Sequence, residues 1–202
     1  MPKALKFLKE GGIGPYSGFQ WPLPNGKPGK WVSVKGDLKM CERGVHACTP
    51  EQAMVWLQAE AYVIELGAVT DDGSKLVARK GRLVRKLDRW DEKNQRLFAA
   101  DCAEHVLPIF EKERPGDDRP RKAIEAARAY ARGEINAAAW DAAWDAAGAA
   151  AWDAARAAAW AAARAAAGAA AWDAAGAAEH RWQTRRLRKY LGLKPGELEK
   201  MS

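Results

Sequence analysis

Residues Ala137–Ala178 read AAAWDAAWDAAGAAAWDAARAAAWAAARAAAGAAAWDAAGAA: 42 residues, of which 28 are Ala, 5 Trp, 4 Asp, 3 Gly and 2 Arg. Every residue that is not Ala falls on one of two four-residue registers. Trp140, Trp144, Gly148, Trp152, Arg156, Trp160, Arg164, Gly168, Trp172 and Gly176 occupy the first, and Asp141, Asp145, Asp153 and Asp173 the second. Ala has the highest helix propensity, so the composition encodes helix. A step of four residues advances about 400° around an α-helix, a drift of about 40° each time. The tryptophans therefore point in several directions and form no single apolar stripe. As one rod the tract would span about 63 Å, whereas a compact chain of this length has a radius of gyration of about 16–17 Å. Breaks are expected at one or more of Gly148, Gly168 and Gly176, with the pieces folded back on the chain. Tandem expansion of a short coding repeat, tolerated because it makes helix, is the plain explanation of the regularity. Trp140, Trp144, Trp152, Trp160 and Trp172 are candidates for a partner-binding surface, including a second copy of the chain, because Trp is enriched at binding hot spots.

The tract is no membrane span. Between Asp145 and Asp173 its longest uncharged run is eight residues, Ala165 to Trp172, and a spanning helix needs about 20. The chain carries a net charge of +7, and the excess sits at its two ends: residues 1–90 carry +6 and residues 179–202 carry +4. Such an excess attracts polyanions, although many basic proteins bind none. Three cysteines build no disulfide framework and suit a reducing compartment. Met1-Pro2-Lys3-Ala4-Leu5-Lys6 opens no apolar run of secretory length. The expected location is the cytoplasm.

Working outward, Ala4–Lys9 reads as a short strand, and the Gly- and Pro-rich stretches 11–18 and 22–29 as turns. Lys30–Val34 and Leu38–Cys41 suggest a hairpin across Lys35-Gly36-Asp37, with Val45–Cys48 as a further extended piece. Thr49-Pro50-Glu51-Gln52 is a helix start, with Thr as cap and Gln three residues on, predicting a helix to about Gln58. Ala61–Val69 and Leu76–Leu87 are strands, the second bulged at Gly81. From Asp91 the pattern turns helical. Phe98, Cys102, Val106 and Ile109 recur on one face, with a stop or kink near Pro108. A helix from Pro120 turns Ile124, Ala127 and Ala131 inward and ends at Gly133, Asn136 caps the Ala tract, and a last helix runs from about Ala178 to Leu191. The expected class is α+β. A small mixed β-sheet domain with one helix (1–90) precedes an alanine-rich all-α region (91–192) and a tail (193–202).

Two stretches carry resemblances. Phe98-Ala-Ala-Asp-Cys-Ala-Glu-His-Val-Leu-Pro-Ile-Phe110, followed by the segment from Pro115 to Glu134, resembles a helical family of immunity proteins linked to bacterial polymorphic toxin systems. The likeness covers about residues 96–178 and is specific over 98–134. It implies a helical domain that acts by binding another protein, and it brings no catalytic residues. The front half is similar to a module of actinobacterial and phage proteins of unassigned activity. The residues that carry this are Gly14-Pro15-Tyr16-Ser17, Trp21-Pro22, Cys41, Gly44-Val45-His46-Ala47-Cys48, Lys75-Leu76-Val77-Ala78-Arg79 and Arg82-Leu83. The combination implies a phage or mobile-element setting.

Three constellations bear on chemistry. Four of Cys41, His46, Cys48, Cys102 and His105 would make a zinc site, but Cys-x4-His-x-Cys is no standard knuckle, and Cys102 aligns with core positions. No metal and no cofactor is expected. Gly44-Val45-His46, a helix and the strand Ala61–Leu66 resemble the ADP-ribosyltransferase fold, with Tyr16, His46 and Glu65 as the residues to watch; the alternative is a structural His and a salt-bridged Glu. Lys75, Arg79, Lys80, Arg82, Arg85 and Lys86 make a basic strand, and Arg181, Arg185, Arg186, Arg188 and Lys189 a basic helix. Arg79, Arg82, Arg85, Arg185 and Arg186 are the candidates for nucleic-acid or nucleotide binding by phosphate contact and stacking. The alternative is an edge strand shielded by charge. The leading expectation is a non-enzymatic protein-binding module of immunity or phage counter-defence type, which sequesters or blocks its partner and has no catalytic residues.

Overall fold

The computed structural model describes residues 1–136, 138, 139, 142 and 169–198, and within 169–175 the backbone alone. These residues form two units, Met1–Asp91 with the C-terminal residues from His180, and Glu92–Glu179. Among the described residues the architecture is α+β, with antiparallel sheets toward the N-terminus and helices after them.

In the first unit, seven strands form two sheets. They are β1 (Lys3–Leu8), β2 (Val32–Ser33), β3 (Val45–Ala47), β4 (Glu60–Leu66), β5 (Val69–Asp71), β6 (Leu76–Ala78) and β7 (Lys80–Lys86). One sheet has the order β1-β4-β7-β2 and the other β3-β6-β5, with every pair antiparallel. Ala4, Leu8, Tyr62, Ile64, Leu66 and Leu83 from the first sheet bury against Val45, Ala47, Leu76 and Ala78 from the second, with Trp21 among them. The sheets also meet at a seam where Leu5 exchanges backbone hydrogen bonds of 2.8 and 3.0 Å with Cys48.

Several sequence expectations change here. Leu76–Leu87 is two strands, broken at Arg79, where the chain leaves one sheet for the other. The register shift falls between Val63 and Ile64, which pair with Arg85 and Leu83, so Val84 is the extra residue and Gly81 stays in regular pairing. Gly81 is glycine because a Cβ there would meet Val45 Cγ1 at 2.8 Å and Leu66 Cδ2 at 3.1 Å. The hairpin expected across Lys35-Gly36-Asp37 is absent: Val32–Ser33 pairs with β7, and Leu38–Cys41 keeps only a bridge from Lys39 to Arg43. The capping box forms, with the Thr49 N–H donating to Gln52 Oε1 at 3.0 Å and the Gln52 N–H to Thr49 Oγ1 at 3.3 Å. Only a single 3-10 turn, Ala53–Val55, follows it. The Trp56 indole donates to the Ser74 carbonyl at 3.0 Å, and Trp56 itself has left helical backbone angles. The tertiary bond of Trp56 outweighs the cap.

The second unit contains α1 (Glu92–Glu113) and α2 (Arg119–Ala131), joined by a five-residue loop. Glu111 pairs with Arg121, and Asp101 with Arg128, so the helices run antiparallel. Ala100, Leu107, Ile124 and Ala127 form their core. α1 runs through Pro108, which lies on the exposed face, so the helical bond it forfeits is one that water replaces. The inward face is Phe98, Asp101 and Leu107. Val106 and Ile109, expected inside, stand outside at 40% and 68% exposure. The Asn136 cap forms, accepting from the Ala139 N–H at 2.9 Å.

The third helix, α3, spans Ala169–Leu191 and passes through Gly176 without a break. The expected breaks at Gly148 and Gly168, and the side chains of Trp140, Trp144, Trp152, Trp160 and Trp172, lie outside the described residues. α2 and α3 end alike. Gly133 and Gly192 take positive φ, and the N–H of the following residue reaches the carbonyl five positions back, Glu134 to Ala129 at 2.9 Å and Leu193 to Arg188 at 3.0 Å. This is the Schellman stop, which only Gly adopts without strain.

Candidate functional site

The basic residues of β6 and β7 have internal partners. Arg79 Nη1 donates to the Gly36 carbonyl at 2.6 Å, and Arg82 meets Glu65 Oε2 at 2.6–2.7 Å through two nitrogens. Arg85 pairs with Glu197, and Lys86 Nζ lies 2.6 Å from Glu60 Oε1. Glu60 is a hub: its second oxygen accepts from the Tyr62 hydroxyl at 2.9 Å and the Gly12 N–H at 2.8 Å. Burial raises the Glu60 pKa, but Lys86 and these hydrogen bonds outweigh it and hold the carboxylate below its usual range. Of the run that reads as free cations, Arg82, Arg85 and Lys86 are ion-paired and Arg79 is spent on a backbone carbonyl.

Around His46 lies a second cluster. The Cys41 N–H donates to His46 Nε2 at 3.2 Å, with Cys41 at a φ of 67°. Burial first, then the Lys6 and Lys75 cations, hold the imidazole below its ordinary pKa, so it stays a neutral acceptor. Lys6 Nζ donates to the His46 carbonyl at 2.7 Å and stands 5.2 Å from the Trp21 ring centroid. Lys75 is 7% exposed, with its ammonium against Cys41 Sγ and 5.0 Å from the Trp56 centroid. Cys48 faces the interior, its thiol on the Leu5 carbonyl, and burial pushes its pKa up to about 12.

The metal and transferase constellations are dispersed. Cys102 and His105 belong to the other unit, where His105 pairs with Glu179 at 3.2 Å. Among the described residues, no group of three or more His, Cys, Asp or Glu is placed to hold a metal ion. Of the transferase trio, Tyr16 is exposed edge-on to Trp56, His46 lies in the β3-β6-β5 sheet, and Glu65 in the other sheet is held by Arg82.

Two features escaped the sequence reading. On α1, Val106 and Ile109 form an outward apolar pair, on the side of the helix away from Asp101 and Glu104, which the Arg128 guanidinium bridges at 2.8 Å and 2.6 Å. The i, i+3 spacing was legible, but its direction depends on what α2 covers. On α3, His180, Arg181, Thr184, Arg185 and Arg188 line an open cleft of about 280 Å³ together with Glu51. The reading singled out Arg185 and Arg186; Arg186 instead lies over Tyr190, with its guanidinium carbon 5.6 Å from the ring. The signal for the cleft was the i, i+4 series 180, 184, 188, with a lone Thr among arginines.

The α1–α2 hairpin lies within the stretch of the chain that comparison assigns to a family. The Imm-5 like putative immunity protein family matches residues 85–186, half of the chain, and the chain belongs to that family. The match starts earlier and ends later than the resemblance of 96–178, taking in the end of β7 and part of α3. Searches of curated proteins and of solved structures each return no match. Among the described residues, no helix is long and apolar enough to cross a membrane.

Proposed function

We propose that the chain is a non-enzymatic immunity protein that binds a protein toxin and blocks it. The observation that carries this reading is membership of the immunity family over residues 85–186. The outer face of α1 supports it, because Val106 and Ile109 stand exposed there as an apolar pair of the kind that centres an interface. Trp140, Trp144, Trp152, Trp160 and Trp172 extend the candidate surface and would also serve a second copy of the chain. The same reading sets the protein in the cytoplasm, in a phage or mobile-element context where blocking a partner is the task. The nucleic-acid alternative is less favoured, since Arg79, Arg82 and Arg85 each spend hydrogen bonds on protein acceptors.

The test uses the full chain and its Ile109→Asp variant as baits in lysate of the native host, with bound proteins identified by mass spectrometry. One protein should be recovered with the parent chain and lost with the variant. Its toxicity on expression should be suppressed by co-expression of the parent chain alone. Recovery of no specific protein, with tight nucleic-acid binding in its place, would overturn the reading.

A further inference from the structure

The C-terminal half of α3 carries an arrangement that binding a toxin does not require. His180, Thr184 and Arg188 follow one another at four-residue intervals, with Arg181 and Arg185 beside them, and Glu51 of the Thr49–Gln52 turn completes the cleft. All of these residues belong to the first unit. Three guanidiniums face one carboxylate, and Arg is always charged, which leaves a net charge of about +2. Arg188 Nη2 donates to the Glu197 carbonyl at 2.8 Å, which fixes its plane. The Arg181 and Arg185 side chains make no hydrogen bond or ion pair among the described residues. Thr184 is 5% exposed, and its hydroxyl finds no partner among the described residues. Burying a hydroxyl unpaired costs stability, and native chains keep few such groups without a use for them.

We propose that this cleft binds the phosphate group of a phosphate monoester. A carboxylate would neutralise one charge and offer two oxygens. A phosphate monoester carries close to two negative charges at neutral pH and presents three strong acceptor oxygens. Its charge matches the surplus of the cleft. Its oxygens match the forks of Arg181 and Arg185 and the unpaired Thr184 hydroxyl, with the Arg188 charge beside them. Guanidinium pairs with phosphate bidentately, so the site is shaped for the group and not only for its charge. The cleft volume takes the phosphate and the first atoms of its ester, and the rest of the ligand lies outside. A nucleotide 5′-phosphate and a phosphorylated side chain share this chemistry. The proposal stands whether or not a toxin is the protein partner.

Calorimetric titration of the full chain, in phosphate-free buffer at low salt, tests it. The probes are inorganic phosphate, adenosine 5′-monophosphate and phosphoserine, with adenosine and serine as controls. Saturable binding of phosphate and of at least one ester, and none of the controls, is expected. A tighter nucleotide assigns a nucleotide source, and a tighter phosphoserine a protein source. Arg185→Gln, at an exposed position, should weaken binding about 10-fold through loss of a charge-assisted fork. Thr184→Val should weaken it about 5-fold while leaving the melting temperature unchanged or raised, because an unpaired buried hydroxyl has gone. Glu51→Gln should tighten binding, since the one opposing carboxylate is removed. No saturable phosphate binding at millimolar concentration, or equal binding by the parent chain and Arg185→Gln, would overturn the proposal.

Discussion

Arg82 on β7 stands directly opposite Glu65 on β4 in the strand register, and their ion pair closes at 2.6 Å with the two side chains 32% and 17% exposed. Cross-strand pairing of this kind accounts for a basic strand that does not behave as a free cationic surface. Opposite charges facing each other across an antiparallel pair contribute about 0.2–1 kcal/mol, and removing one partner leaves the other partly desolvated. Arg82→Ala and Glu65→Gln should each lower unfolding free energy by about 1 kcal/mol, with the double variant costing less than the sum, as read in a denaturant double-mutant cycle. Strict additivity would show that the pair is only a proximity.

Lys6 should make stability depend on pH in the alkaline range. Burial lowers its pKa from 10.5 to about 8, with the nearby Cys48 opposing the shift. Between those values the unfolded chain binds the proton and the folded chain does not, so stability rises as pH rises from about 8 to about 10.5. Cys48 acts with the opposite sign above pH 9, because its folded thiol keeps its proton up to about 12. The measurement is therefore the difference between the parent chain and Lys6→Met, which share Cys48. That difference should move in favour of the parent chain by on the order of 3 kcal/mol across the window. A difference independent of pH would refute the buried ammonium.

The three thiols should react unequally. Cys41 is exposed, Cys102 partly buried and Cys48 buried. Brief treatment with iodoacetamide under native conditions should label Cys41 first and leave Cys48 unmodified until denaturant is added, as mapped by peptide mass spectrometry. Early labelling of Cys48 would contradict its place against Leu5.

Arg128 holds α1 to α2 through Asp101 and Glu104, and Asp101 is 7% exposed. Hydrogen bonds to Glu104, then to Asp101, raise the Arg128 pKa against its burial, while Arg128 holds Glu104 below its usual range. Arg128→Ala removes a principal cation partner of a buried carboxylate and should cost about 3 kcal/mol. Leu107→Ala, in the core between the helices, should cost about 2–5 kcal/mol. Ile109→Ala, on the outer face, should stay within about 0.5 kcal/mol. A large loss at Ile109 would show that its face is covered.

At Gly81 the space is filled by side chains from both sheets. Gly81→Ala should cost about 1–3 kcal/mol by overpacking, measured by thermal or denaturant unfolding. A neutral result would mean that Val45 and Leu66 have room to give.

Local signals were legible in the sequence where local chemistry settles the outcome. The Thr49/Gln52 box, the Asn136 cap, and the Gly133 and Gly192 stops are where the residues place them. The strand at Glu60–Leu66 follows its Tyr, Val and Ile content, and that at Lys3–Leu8 its short apolar pattern. What failed depended on partners distant in sequence. The helix after Thr49 stops because Trp56 finds Ser74, and Leu76–Leu87 divides because two sheets claim its halves. The outward turn of Val106 and Ile109 is set by where α2 lies, since alternative faces of one helix have similar apolar content. At the α3 cleft, Arg185 was legible as a cation, but the buried Thr184 hydroxyl and the nearby Glu51 became evident only once α3 was folded.

The first unit is discontinuous along the chain: Arg85 pairs with Glu197, 112 residues later, and a Cβ on Gly192 would meet the Arg89 side chain. Ribosomal synthesis therefore delivers residues 92–179 before the C-terminal pieces of the first unit exist. Until the segment from His180 emerges, the first unit lacks its C-terminal residues, the buried Leu187 and Leu191 among them, while α1 and α2 already hold Ala100, Leu107, Ile124 and Ala127. Domains fold as units in order of emergence, so the α1–α2 hairpin has the described residues of its core in hand while the first unit is still being synthesised.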